Sequence, residues 1–297
     1  MPPRDPTGQN CPIPCSLLPE TKRRIETFAD ELRHAAQTIG THGLSPDEFA
    51  SSGIFPAAIE RLRGQQAASM AVKRRFLEDV LEHMQSANAI REFTFTGHGD
   101  RHDYQVEMPD QTMVVFEAKG CLDGNNTNIF QRPPNADEFF IWSLCQNSGA
   151  DPRKNAWSGI HTRLGATILA ERQLVDGLVI FDMVCGTAGR PCPKIENAPE
   201  KRVQLRSGRI VPPPCIYLFP RTIPDPRNNP APPVRRLNET HFLRALAQVF
   251  GCGAPDLTDV SIQVRMNGAN VVRKTILTRD GRVVKESKWT NLRRASR

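Results

Sequence analysis

Residues 102–119 read HDYQVEMPDQTMVVFEAK, and their alternation of apolar and polar side chains predicts two antiparallel strands. Between the strands, Pro109-Asp110-Gln111 has the composition of a tight turn. If this turn has three residues, Met108 faces Thr112, and the rest of the register follows. One face of the predicted hairpin is then apolar, because it collects Tyr104, Val106, Val114 and Phe116.

The same register brings two carboxylates and an amine together at the open end of the hairpin. It sets Asp103 opposite Glu117, with β-carbons about 4.5–5.5 Å apart, and places Lys119 on the same face. Two like charges in this position repel each other unless a cation lies between them. Mg²⁺ prefers oxygen ligands and keeps several waters, so Asp103, Glu117 and the main-chain carbonyl of Ala118 predict a magnesium site. Lys119 would orient or deprotonate the attacking water.

The elements around the hairpin alternate between helices and strands. A helical pattern runs over residues 57–85, and a strand pattern covers residues 91–96. After the hairpin, residues 136–146 and 158–174 have helical patterns, and residues 175–182 read as a buried strand. The predicted order is a helix, three strands, a helix and a further strand.

An Asp on one strand followed by Glu-Ala-Lys on the next resembles the signature of the PD-(D/E)xK nuclease superfamily. The resemblance covers residues 57–182. It implies an α/β fold with a restriction-endonuclease-like core, in which helices flank a mixed central sheet, and it implies Mg²⁺-dependent cleavage of DNA. The expected division is N-terminal arm and helices over residues 1–56, catalytic core over 57–185, and proline-rich loops with a basic, β-rich elaboration over 186–297.

Asp110 and a glutamate of the preceding helix are further candidates for the acidic residues of the motif. Asp110 follows a proline and so imitates the first half of the motif, but its place in the turn puts it at the far end of the strand pair. The family often adds a carboxylate from the preceding helix. On a helical wheel Glu82 points away from the apolar stripe, whereas Glu78 lies at its border, so Glu78 is the candidate. The alternative for Glu78 is an ordinary solvated position on the helix surface.

The charge distribution predicts a polyanionic partner. Residues 201–297 carry 19 Lys and Arg against 6 Asp and Glu, whereas residues 1–200 carry 20 against 26. A basic segment of this kind suits the phosphates of double-stranded DNA. Candidate DNA contacts lie in the loop after the motif and in a predicted C-terminal β-meander: Asn126, Asn128, Gln131, Arg132, Arg273, Lys274 and Arg282. For the loop, turn-forming asparagines with no DNA contact remain an equal alternative.

A nuclease of this size most resembles a type II restriction endonuclease, which implies a homodimer and a methyltransferase that modifies the same DNA site. Two alternatives stay open: a repair, recombination or mobile-element nuclease, and a DNA-binding protein without catalysis. The sequence shows no signal peptide or membrane-spanning run, so a cytoplasmic location is expected. Among the eight cysteines only Cys11 and Cys15 are closely spaced, which favours reduced thiols over a zinc site.

Overall fold

The computed structural model describes residues 12–13, 15, 17–35, 43–52, 70–97, 103–120, 132–145 and 152–292. Its helices are α1 Pro19–Ala35, α2 Pro46–Ser51, α3 Met70–Ser86, α4 Pro152–Ser158, α5 Gly165–Glu171, α6 Pro193–Glu196 and α7 His241–Val249, with a π-helical segment, Gly159–Leu164, joining α4 to α5. Its strands are β1 Glu92–Phe95, β2 Tyr104–Glu107, β3 Met113–Lys119, β4 Glu138–Cys145, β5 Gly177–Asp182, β6 Val203–Gln204, β7 Ile210–Val211, β8 Cys215–Leu218, β9 Leu257–Asn267, β10 Asn270–Arg279, β11 Arg282–Glu286 and β12 Thr290–Asn291.

One mixed sheet of ten strands runs through the molecule in the order β1-β2-β3-β4-β5-β8-β9-β10-β11, with β12 also paired to β10. Strands β3, β4 and β5 are parallel, and β8 is parallel to β9. The other pairs in this sheet are antiparallel. The protein is therefore α/β with a mixed central sheet flanked by helices, as predicted.

The register of the hairpin is confirmed. Tyr104 pairs with Phe116 and Val106 with Val114, and the Met108 N–H donates to the Thr112 carbonyl at 3.0 Å. These four paired side chains are buried in one core cluster. The turn works as the sequence implies, because Asp110 Oδ1 accepts the Thr112 N–H at 3.1 Å.

Helices cover both faces of the sheet. On the face of Tyr104 and Phe116, α3 buries the apolar stripe that its periodicity predicts, and α7 packs beside it. The stripe consists of Phe76, Leu77, Val80, Leu81 and Met84, each no more than 1% exposed. On the other face, α4, the π-helical segment and α5 contribute Ala156, Ile160, Leu164 and Ile168 to a second cluster.

The helix expected over residues 136–146 is wrong, because most of that segment is strand β4. The sequence EFFIWSLC is apolar on both sides and lies between two parallel neighbours, β3 and β5. A strand buried on both faces has no period-two alternation, so its sequence does not separate it from a buried helix.

The C-terminal meander is confirmed, and it is continuous with the rest of the sheet. Strands β9, β10 and β11 are antiparallel neighbours with turns at Gly268 and at Asp280-Gly281. Strand β8 joins them to β5. None of the helices in the described ranges combines the length and the apolar composition that a membrane span requires.

Candidate active site

Asp103 lies at the open end of the hairpin and contacts both neighbours of Glu117. Its N–H donates to the Phe116 carbonyl at 3.1 Å, and its Oδ2 accepts the Ala118 N–H at 2.7 Å. The Asp103 carboxylate is thus fixed at the main chain of the Glu-Ala-Lys segment, on the strand next to Glu117. The paired register ends at Tyr104 and Phe116, and Asp103, one residue before β2, continues along the same edge of β3.

Glu117 and Lys119 form an ion pair at the end of β3. The Glu117 side chain is 2% exposed and the Lys119 side chain 19% exposed. Strand alternation places both on the face opposite Phe116, because Val115 belongs to the second core cluster. The Lys119 ammonium group compensates the charge of the buried Glu117 carboxylate, which would be costly to bury alone.

Glu78 lies close to the hairpin. It borders the buried apolar stripe of α3 and is itself only partly buried. Its position is visible through Tyr104, whose pKa is raised first by burial and then by the negative charge of Glu78. Asp103 raises the same pKa, and Arg74 opposes the rise. Glu78 and Asp103 therefore both lie near the Tyr104 side chain.

The carboxylate and carbonyl oxygens at this site are ligands of the kind that a hard divalent cation takes. Within the described ranges, no group of three or more His, Cys, Asp or Glu side chains could hold a metal ion. A magnesium ion bound through one or two carboxylates completes its shell with water and substrate oxygens. Because the N–H and C=O of one strand residue point toward the same neighbouring strand, the Ala118 carbonyl faces the β2 side, as its N–H does.

The predicted DNA contacts in the loop after the motif divide into two groups. Asn126, Asn128 and Gln131 lie outside the described residues. Arg132 is described, and its guanidinium donates to the Ala136 carbonyl at 2.9 Å and pairs with Asp176 at 3.4 Å. Arg132 thus helps Arg235, which lies 2.7 Å from Asp176, to compensate this buried carboxylate, and its contact with DNA stays a prediction.

The predicted contacts in the C-terminal meander also differ from one another. Arg273 is 4% exposed and donates to the main-chain carbonyls of His161 and Thr162. Its assignment to DNA is corrected, because a buried guanidinium group does not reach a ligand at the surface. Lys274 pairs with Glu286 at 2.9 Å. Arg282 is exposed at the start of β11 and stays a candidate.

Substitutions of Arg273 and Arg282 are therefore expected to differ in their effect on the free energy of unfolding. Arg273→Ala is expected to lower the free energy of unfolding by about 2–4 kcal/mol, because it removes the donor to the His161 and Thr162 carbonyls and leaves a cavity where the buried side chain was. Arg282→Ala is expected to change it by less than about 0.5 kcal/mol. Urea unfolding of both variants measures this difference. Equal stabilities would contradict the structural role of Arg273.

A cluster of thiols escaped the sequence reasoning. The Cys185 thiol contacts the thiols of Cys192, seven residues later in the chain, and of Cys15 in the N-terminal arm. The arm reaches this point because the Pro12 carbonyl accepts hydrogen bonds from Tyr217 and from Arg279. The spacing of Cys185 and Cys192 is too wide to indicate a ligand pair by itself, so this cluster had no signal in the sequence.

Comparisons of the chain with protein-family models, with curated proteins and with solved structures found no match. Function is therefore inferred from the site residues and their contacts.

Proposed function

We propose that the protein is a Mg²⁺-dependent endonuclease that hydrolyses phosphodiester bonds in double-stranded DNA. The observation that carries this proposal is the position of Asp103, which contacts Phe116 and Ala118 on either side of Glu117, while Glu117 pairs with Lys119. Two acids and one amine on adjacent strands match the requirements of metal-assisted hydrolysis. The resemblance of Asp103 and Glu117-Ala118-Lys119 to the PD-(D/E)xK signature supports the same reading.

Each residue has a defined task in this proposal. Asp103, Glu117 and the Ala118 carbonyl would hold the magnesium ion. When bound, the ion lowers the pKa of water and neutralises negative charge on the phosphate. Lys119 holds its amino group beside Glu117, where the ammonium form orients the attacking water and the neutral amine form could accept a proton from it. Glu78 adds negative charge near Tyr104 and is an accessory acid of the site.

The direct test is incubation of the purified protein with supercoiled plasmid in the presence of Mg²⁺. We expect linear products, and we expect EDTA to abolish them because the two carboxylates alone repel a phosphate. Protein that binds plasmid and leaves it intact under all metal conditions would favour the binding-only alternative, in which the hairpin acids are surface charge.

The finer proposal is a site-specific type II restriction enzyme that acts as a homodimer in the cytoplasm, alongside a methyltransferase with the same target. A two-fold protein matches a palindromic site and cuts both strands. Discrete fragments from phage DNA support this proposal. Smears or nicks alone would favour a repair, recombination or mobile-element nuclease with the same active site.

A further inference from the structure

A small pocket lies beside the candidate active site, at the end of β3. Asp103, Ala118 and Lys119 line it from the hairpin, and two consecutive basic residues of α3, Lys73 and Arg74, line it from the helix. Both basic residues are half-buried. Of the residues that line the pocket, Lys73, Arg74 and Lys119 are basic and Asp103 is acidic, and Lys119 is paired with Glu117. The positive charge that would attract an anion therefore comes from Lys73 and Arg74.

Lys73 approaches the main chain directly after Lys119. A β-carbon added to Gly120 would lie 3.1 Å from Lys73 Nζ, so the ammonium group occupies the space that a side chain at residue 120 would take. Glycine at this position allows the approach. The Lys73 charge is consequently held close to the end of the Glu-Ala-Lys segment.

Arg74 is oriented by an aromatic ring. Its guanidinium carbon lies 3.9 Å from the centroid of Phe95, which is the last residue of β1 and also lines the pocket. Stacking on a ring uses the face of the guanidinium group, whereas its N–H donors point outward in the plane. A planar group held in this way matches two oxygens of one phosphate.

Arg75, the next residue of α3, is not among the residues that line the pocket. Arg75 pairs with Asp79 at 3.1 Å and with Glu82 at 3.7 Å, so its charge is compensated on its own helix. Of these three consecutive basic residues, Lys73 and Arg74 line the pocket, whereas Arg75 pairs with acidic residues on the surface of α3.

We propose that Lys73 and Arg74 bind a phosphate of the DNA backbone next to the phosphate that is cleaved. This inference rests on the proposed function and makes the two residues positioning residues, which hold the substrate at Asp103 and Lys119. The nucleic acid would be recognised here by backbone charge and not by base sequence.

The test compares Lys73→Ala, Arg74→Ala and Arg74→Lys with Arg244→Ala, which removes an exposed arginine of α7. The probe is a fluorescent DNA duplex of about 30 base pairs that carries a cleavage site mapped with the wild-type enzyme. If the wild-type enzyme has no mapped cleavage site, a duplex of arbitrary sequence and the same length is used. Binding is measured by anisotropy in the Asp103→Asn background with Mg²⁺, and cleavage is measured in single turnover.

We expect each substitution in the pocket to weaken binding about tenfold and Arg244→Ala to leave it unchanged. The slope of log affinity against log salt should fall by about one for each lost phosphate contact. Arg74→Lys should recover only part of the affinity, because a lysine does not present a planar pair of donors. Circular dichroism and thermal unfolding identify any variant that fails to fold. If Arg74→Ala does not fold, the test is made with Arg74→Lys.

The two proposals fail in different ways. Wild-type protein that cleaves DNA, together with pocket variants that bind and cleave normally, would overturn the role of Lys73 and Arg74 and leave the nuclease proposal intact. DNA binding that depends on both residues, without cleavage by the wild type, would overturn the nuclease proposal and retain the phosphate site. Wild-type protein that binds no DNA would overturn both.

Discussion

Asp103→Asn is expected to reduce Mg²⁺-dependent cleavage of DNA by about 10³-fold while leaving the fold unchanged. The substitution removes one negative charge from the site. It keeps an oxygen that can accept the Ala118 N–H, now bound by Oδ2 at 2.7 Å, so the end of the hairpin should stay closed. Single-turnover cleavage rates measure the loss, and thermal unfolding checks that the variant is folded.

Asp110→Asn is the matched control for this prediction. Asp110 also belongs to the hairpin and follows a proline, but its side chain is about half exposed at the turn. There Oδ1 accepts the Thr112 N–H, and Oδ2 lies 3.2 Å from His241 Nε2. We expect nearly wild-type cleavage from Asp110→Asn. If Asp110→Asn lost activity and Asp103→Asn kept it, Asp110 and not Asp103 would be the first acid of the motif.

Lys119→Ala is expected to lower the cleavage rate by about 10²–10³-fold and also to destabilise the metal-free protein. The Glu117 carboxylate is 2% exposed and pairs with the Lys119 ammonium, so truncation leaves a buried charge without its partner. A loss on the order of 3 kcal/mol in the free energy of unfolding follows. Mg²⁺ should restore much of it, because the ion and the ammonium group neutralise the same carboxylate.

The double variant Glu117→Gln with Lys119→Ala separates the two effects. It should regain stability without metal, since no buried charge remains, yet it should stay inactive and lose its stabilisation by Mg²⁺. Lys22→Ala, at an exposed lysine of α1, controls for the loss of one positive charge. Full cleavage by Lys119→Ala would remove Lys119 from the proposed mechanism.

The hairpin could be predicted from sequence because its information is local. Residues such as Tyr104 and Val114 alternate with polar neighbours, and the turn at Asp110 fixes the register, so each strand depends only on the other. The observed register ends at Tyr104 and Phe116, and the direct pairing of Asp103 with Glu117 stays a prediction. Glu78 could be placed near the site because the apolar stripe of α3 sets the rotation of the helix.

Other features depend on contacts between distant parts of the chain. Strand β4 lacks alternation since β3 and β5 bury it on both sides, and no local signal replaces that alternation. The burial of Arg273 depends on the carbonyls of His161 and Thr162 across a helix–sheet contact. The destination of Arg132 likewise depends on Asp176, which is 44 residues away in sequence. Basic composition identified these side chains but could not separate structural cations from surface ones.

The unbroken sheet also acts as a spacer of fixed width. Four strand-to-strand steps separate β3, which carries Glu117 and Lys119, from β9 at the start of the basic meander. At about 4.8 Å a step, these strands lie roughly 19 Å apart along the sheet. Hydrogen-bonded strands do not slide past one another without losing whole rows of bonds. The candidate site on β3 and the basic meander therefore cannot move toward each other to enclose a ligand, and any adjustment to a bound partner must come from the loops and helices around them.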